Sequence, residues 1–144
     1  MTSTERPSLT TVAVGDELPG ARYAVDRTTL VRYAGAGGDF NPIHWNERFA
    51  REVGLPDVIA HGMLTMATAA RLVSDWVQDP GDVIEYGVRF TNPVVVPDPE
   101  GTAIDVAGKV GAVDTQAGTA CIDLTVTCGG RKVLGKARAT VRLR

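Results

Sequence analysis

The sequence predicts an α+β fold in which one curled antiparallel sheet wraps around a long central helix. Two observations indicate this class. The segment from about Gly62 to Gln78 has a helical pattern and is apolar around most of its surface, so another layer must cover it. The second half of the chain alternates apolar and polar residues with a period of two, which is typical of antiparallel strands solvated on one face.

Short capped helices are expected before the long one. Asp26 is placed to cap a helix that passes through Tyr33 and ends at the glycines before Asp39. Asn46 is placed to cap a second short helix, with Gly54 as its stop. The first half of the chain is therefore expected to be helical and rich in loops.

Four segments after the long helix carry the alternating pattern, at residues 84–91, 104–111, 121–128 and 132–141. Gly129-Gly130 predicts a two-residue hairpin turn, and residues 114–118 predict a longer one. Cys121 and Cys128 lie an odd number of positions apart in one predicted strand, so they point to opposite faces and cannot bond to each other. We expect both to be reduced thiols, as in a cytoplasmic protein.

Composition predicts the class of protein. The chain has 144 residues, 44% of them hydrophobic, and a net charge of −2, which gives no reason to expect nucleic acid or an anionic membrane as partner. No apolar run is long enough to span a bilayer. We expect one domain over residues 9–144, a flexible tail over residues 1–8 that lacks the apolar core of a signal peptide, and a cytoplasmic location.

The open edges of the predicted sheet favour association, most simply a dimer that extends the sheet across two subunits. The alternative is a monomer whose edges are protected by twist or by charge.

The candidate chemistry lies in the segment Gly-Gly-Asp-Phe-Asn-Pro-Ile-His, residues 37–44. It places the Asp39 carboxylate and the His44 imidazole five positions apart on a stiff loop, because Pro42 fixes one dihedral angle and Asn41 before it is held extended. Such preorganisation is what an acid–base pair requires. An ordinary turn is the alternative interpretation, since these residue types are common in turns.

A second candidate group is the backbone N–H of Gly62 at the start of the long helix. Free N–H groups and the positive end of the helix dipole meet there, and a glycine allows an oxygen atom to approach closely, as in an oxyanion hole. His61, the only other histidine, is expected to cap or turn the chain into the helix. Asp39, His44 and His61 form a conceivable metal triad, but no spacing motif supports one, so no metal is expected.

Nine residues match one motif: Tyr33, Gly37, Gly38, Asp39, Asn41, Pro42, Ile43, His44 and Ala50. On this motif the chain resembles the MaoC-like hydratase/dehydratase family of hot-dog proteins. Residues 41–45, 59–66, 76–77 and 86–90 are further similar to the catalytic subunit of the mycobacterial-type (3R)-hydroxyacyl-ACP dehydratases. The resemblance runs from about residue 10 to the end.

The resemblance implies a hot-dog fold and a reversible dehydration of (3R)-hydroxyacyl thioesters to trans-2-enoyl thioesters. It implies that Asp39 and His44 are catalytic, that the Gly62 N–H binds the substrate carbonyl, and that Asn41 and Pro42 orient the loop. The implied substrates are acyl-CoA or acyl-ACP thioesters, with no cofactor. Which of the two catalytic residues acts as base in each direction stays open.

Several alternatives also stay open. The partner is a second hot-dog subunit in the dehydratases, whereas stand-alone (R)-specific enoyl-CoA hydratases are homodimers. A hot-dog thioesterase is less favoured because residues 63–74 contain no carboxylate, and a non-catalytic acyl-binding subunit is less favoured because the Asp39/His44 pair is intact. Some relatives hold the catalytic Asp with a helix serine, where this chain offers Thr65, Thr68 and Ala70.

Overall fold

A computed structural model describes residues 5–144. The elements in chain order are β1 (Glu17–Val25), α1 (Arg27–Gly37), α2 (Glu47–Glu52), α3 (Gly62–Val77), β2 (Val83–Phe90), β3 (Thr102–Asp114), β4 (Thr119–Cys128) and β5 (Arg131–Arg142). Single 3-10 turns lie at Pro42–His44 and Pro80–Asp82. Within residues 5–144, none of the helices has the length and apolar character needed to cross a membrane.

The five strands form one sheet in the order β1-β3-β4-β5-β2, and every neighbouring pair is antiparallel. The sheet curls around α3, which contacts all five strands. Leu72 and Val73 of α3 share the core with Ile104 of β3 and Ile122 of β4, all of them buried. This confirms the predicted class, an α+β fold with a curled sheet around a central helix.

The predicted helix ends are confirmed. The Asp26 side chain accepts a hydrogen bond from the Thr29 N–H, at 2.8 Å, and α1 ends at Gly38 in a left-handed conformation. Asn46 caps α2 by accepting from the Phe49 N–H, at 3.1 Å. These caps satisfy backbone donors that a helix start leaves free.

The predicted hairpins also form. Gly129 and Gly130 join β4 to β5 with φ angles of 58° and 77°, a combination of positive values that two-residue hairpins favour and that glycine adopts without strain. Cys121 and Cys128 are free thiols, as predicted.

Strand β1 departs from the expectation of a helical, loop-rich first half. Its alternation is broken by a bulge between Leu18 and Ala21, with Pro19 and Gly20 inside it. Pro and Gly are rare in regular strands, so the pattern reads locally as a loop. Pairing with β3 nevertheless holds the segment as a strand.

Helix α3 and strand β2 are less covered than predicted. Met63 on α3 is exposed in the single chain, so the helix is not buried nearly all round. Strand β2 lies at the edge of the sheet, and its apolar side chains Ile84 and Phe90 are 51% and 53% exposed.

The two ends of the described chain meet at Asp82. This carboxylate is fully buried and is contacted by Arg6, by Arg142 at 3.6 Å and by Arg144 at 2.9 Å. Pro7 is buried as well. Of the expected tail, residues 1–4 lie outside the described residues, and Arg6 and Pro7 contact the domain.

Candidate active site

Local hydrogen bonds shape the loop between α1 and α2. The Asn41 N–H donates to Asp39 Oδ1 at 3.2 Å, and Asn41 Oδ1 accepts from the Ile43 N–H at 3.2 Å. Pro42 opens the 3-10 turn that carries His44 at its end. The sequence predicts a stiff loop here. Over residues 39–44 the structure departs from that prediction only by this single 3-10 turn. Asn41 and Pro42 therefore lie where they can orient the loop.

The structure brings Asp39 and His44 together. His44 Nε2 lies 3.9 Å from Asp39 Oδ2, which is too long for a direct hydrogen bond. His44 Nδ1 lies 2.7 Å from the Ile59 backbone oxygen. Because that oxygen can only accept, Nδ1 carries a hydrogen and Nε2 of neutral His44 presents a lone pair toward the carboxylate.

The two side chains differ in their exposure. His44 is buried, whereas the Asp39 side chain is 53% exposed. A water molecule or a substrate hydroxyl arriving from solvent can reach the space between them, and apo catalytic pairs are often this loosely spaced.

His61 packs beneath this pair. Its Nε2 lies 3.1 Å from the Asp39 backbone oxygen, and its ring stacks on that of His44 with centroids 3.8 Å apart. The centroid of the Tyr33 ring lies 4.7 Å from that of the His61 ring. Burial, chiefly, lowers the pKa of His61 below its usual value, with a further lowering by His44. As expected, His61 turns the chain into α3, and its side chain has a backbone partner, but that partner is the Asp39 oxygen and the side chain makes no cap hydrogen bond to the helix.

Gly62 is the first residue of α3, as predicted. The helix start has no side-chain cap, so its first N–H groups are available to an external acceptor. A Cβ at Gly62 would lie 3.1 Å from Phe90 Cε1, a contact tighter than packed carbon atoms prefer. The glycine thus permits close approach of the β2 aromatic ring.

A largely apolar cavity of about 340 Å³ borders His44 and Gly62. Its walls are formed by Ile43, His44, Ile59, Ala60, Gly62, Thr65, Phe90, Thr91, Asn92, Pro93, Val94 and Val133. One imidazole and one helix N-terminus in an apolar wall suit an acyl group that carries a single polar reacting centre.

The threonines of α3 bond to their own helix. Thr65 Oγ1 donates to the His61 carbonyl at 3.4 Å, and Thr68 Oγ1 donates to the Leu64 carbonyl at 2.7 Å. Their hydroxyls are therefore engaged away from Asp39.

The metal-ligating atoms of the site also cluster. One ligand atom each from Asp39, His44 and His61 lies within 4.8 Å of the others. A carboxylate with two imidazoles is a chemically suitable set for a divalent ion. The bonds of His44 Nδ1 and His61 Nε2 to backbone oxygens leave His44 Nε2 and His61 Nδ1 as the available nitrogens. That the site works without a metal stays a prediction.

Comparison with known proteins gives a consistent family. The family model described as "MaoC like domain" matches residues 10–127. Over 79 residues the chain is 44% identical to 3-hydroxyacyl-thioester dehydratase X of Mycobacterium tuberculosis, a match that covers 55% of this chain and 27% of that protein.

Solved structures agree. A MaoC-like dehydratase superposes with a TM-score of 0.94 at 46% identity, over 96% of this chain and 43% of the other. The (R)-hydratase from A. caviae superposes with a TM-score of 0.81 at 22% identity, over 93% of this chain and 98% of that one, and shows the same fold. The chain thus matches less than half the length of both 3-hydroxyacyl-thioester dehydratase X and the MaoC-like dehydratase structure. The Asp39–His44 loop, the sheet curled around α3 and the family match over most of the chain lead to one conclusion: this protein belongs to the MaoC-like family of hot-dog proteins.

Proposed function

We propose that this protein is a hydro-lyase that interconverts (3R)-hydroxyacyl thioesters and trans-2-enoyl thioesters plus water. The observation that carries the proposal is that Asp39 Oδ2 and His44 Nε2 lie 3.9 Å apart, with His44 and Gly62 both lining one largely apolar cavity. The similarity to a protein named 3-hydroxyacyl-thioester dehydratase supports it.

The reaction needs two proton transfers. Dehydration removes a proton from C2, breaks the C3–O bond and delivers a proton to the departing hydroxyl, which leaves as water. Asp39 and His44 face one space: one of them accepts the C2 proton, and the other starts protonated and gives its proton to the departing hydroxyl, so the pair holds one proton before and after the step. In hydration the same two groups hold and polarise the attacking water.

The Gly62 N–H would stabilise the negative charge that develops on the thioester oxygen when C2 loses its proton. It lies at the positive end of the α3 dipole in a partly water-excluded cavity. Removing one such donor from comparable oxyanion holes costs roughly 3–4 kcal/mol of transition-state stabilisation.

A second hot-dog subunit is the proposed partner. Strand β2 is an edge with two exposed apolar side chains, Ile84 and Phe90, and Phe90 also lines the cavity. Pairing of this edge with another subunit would bury these side chains and close the cavity on one side. The partner is a different hot-dog chain in the dehydratase form of the proposal and a second copy in the stand-alone (R)-specific hydratase form.

The proposed substrates are acyl-CoA or acyl-ACP thioesters, handled without a cofactor. The cytoplasmic location expected from the sequence stays a prediction.

The test follows loss of the enoyl absorbance of crotonyl-CoA with the purified chain. Asp39→Asn and His44→Ala should each lower the rate by about 100-fold or more, the usual contribution of acid–base groups. Asp75→Asn, which changes an exposed carboxylate near the other end of α3, is the matched control and should keep full activity.

Two outcomes would overturn the assignment. Full hydration by both Asp39→Asn and His44→Ala would show that the chemistry lies elsewhere. Release of free thiol from the thioester would instead identify a thioesterase. An inactive but folded chain is retested with a co-expressed hot-dog partner and with carrier-bound substrate, and continued inactivity there contradicts the proposal.

A further inference from the structure

The side chain of His61 does not cap α3. It precedes α3, where a polar side chain ordinarily caps the helix. Its ring instead turns away from the helix and bonds, through Nε2, to the backbone oxygen of Asp39, 22 positions earlier. The same ring lies against His44 with an interplanar angle of 23°.

These contacts fix the protonation state of His61. The Asp39 carbonyl can only accept, so Nε2 carries the hydrogen. Nδ1 is buried and has no hydrogen-bond partner among residues 5–144. A proton on Nδ1 would create a buried N–H without an acceptor, which is costly. The residue is only 1% exposed, so both its burial and the unpartnered Nδ1 disfavour the charged form of His61.

We propose that His61 is a positioning residue that fixes Asp39 and His44 relative to each other. This inference rests on the hydro-lyase function proposed above. Its Nε2–H anchors the backbone of Asp39, and its ring face supports the imidazole of His44. Asp39 needs such an anchor because it follows Gly37 and Gly38 and its side chain is half exposed. Acid–base geometry must be held to within about 0.5 Å, which an unanchored loop does not provide.

The neutrality of His61 has its own role. The groups that face its ring are the Asp39 carboxylate and carbonyl, the His44 imidazole and the Tyr33 ring. A positive charge on His61, 3.8 Å from the His44 ring, would oppose protonation of His44. A neutral His61 leaves His44 free to gain and lose a proton in each turnover.

Two variants separate the two contacts. His61→Phe keeps a ring against His44 but loses the donor to Asp39, whereas His61→Gln keeps an amide donor without the ring. We expect His61→Phe to lower the kcat of crotonyl-CoA hydration by about 10- to 100-fold with little change in KM, the scale of a small misplacement of catalytic groups. His61→Gln should recover part of that loss. A His61→Phe protein with the kcat and pH profile of the wild type overturns the proposal.

A measurement on the unaltered protein covers the case in which the variants fail to fold. The chain has two histidines, so its ring nitrogen resonances can be assigned by elimination with His44→Ala. We expect His61 to be the Nε2–H tautomer and to titrate below its usual pKa, because it is buried. An Nδ1–H tautomer, or protonation of His61 at or above its usual pKa, would contradict the inference.

The two proposals fail differently. The hydro-lyase assignment is wrong if the Asp39→Asn variant still hydrates crotonyl-CoA. Loss of the His61 inference would show as wild-type kinetics in His61→Phe or the wrong tautomer in the spectrum, while Asp39→Asn is inactive.

Discussion

Both the packing around Gly62 and its proposed chemistry require a residue without a side chain. Its missing side chain admits the Phe90 ring, and its N–H is the proposed oxyanion donor. We expect Gly62→Ala to lower kcat/KM by about tenfold or more, because the added methyl either displaces Phe90 or shifts the N–H.

The effect of Gly62→Ala on stability should be small, since Phe90 is half exposed and can yield. Gly35→Ala is the matched control, because an added Cβ there meets nothing within 4 Å. Crotonyl-CoA kinetics with parallel thermal unfolding measure both quantities, and unchanged kinetics in Gly62→Ala would remove the proposed oxyanion role.

The sequence predicts the Asp39–His44 arrangement because both residues lie within one short, stiff segment. His61 is different, since its partner is 22 positions away and only the fold brings the two together. Its local context, a polar residue before a helix, indicates a cap. The available signal was that the chain has only two histidines, one in the candidate loop and one directly before the long helix.

Helix α3 can lie close to the middle of the sheet because Gly108 on β3 has no side chain. A Cβ at that position would lie 3.1 Å from a methyl of Leu72, 3.2 Å from one of Leu18 and 3.3 Å from one of Leu124. We expect Gly108→Ala to lower the free energy of unfolding by about 1–3 kcal/mol, the usual cost of overpacking a filled core.

Urea denaturation of Gly108→Ala beside Gly35→Ala measures this effect. Gly35 lies in α1 with open space around it, so alanine should stabilise there by up to about 1 kcal/mol. Destabilisation of the same size at both positions would show that crowding under α3 is not the cause.

At the level of elements, regular patterns were predictable and irregular ones were not. Strands β3 and β4 lie in the middle of the sheet, and residues 104–110 and 120–126 alternate between buried and more exposed positions. Strand β1 contains a bulge with Pro19 and Gly20, so its propensity and periodicity both indicate a loop. It is a strand because β3 offers it an unpaired edge, a tertiary effect that no local window contains.

At the level of the molecule, the exposed β2 edge predicts association. Ile84→Asp should convert a dimer into monomers and lower activity, because a charge would be buried where an apolar side chain is expected to pack. Sedimentation measures the mass, and activity is measured on the same samples.

Val14→Asp is the control for Ile84→Asp, since Val14 is also an exposed apolar residue, at 64%, but lies outside the strands. An Ile84→Asp protein with unchanged mass and full activity would contradict the proposed use of this edge.

The convergence of Arg6, Arg142 and Arg144 on Asp82 has a consequence for connectivity. Residues near both ends of the described chain contact the same carboxylate, so those ends lie close together. A short peptide could therefore join them into a ring without crossing the sheet. Opening that ring at Gly129-Gly130 would reorder the sequence while keeping the α1–α2 loop and α3 on one continuous stretch. The order of elements along the gene is therefore separable from the three-dimensional arrangement of Asp39, His44 and His61.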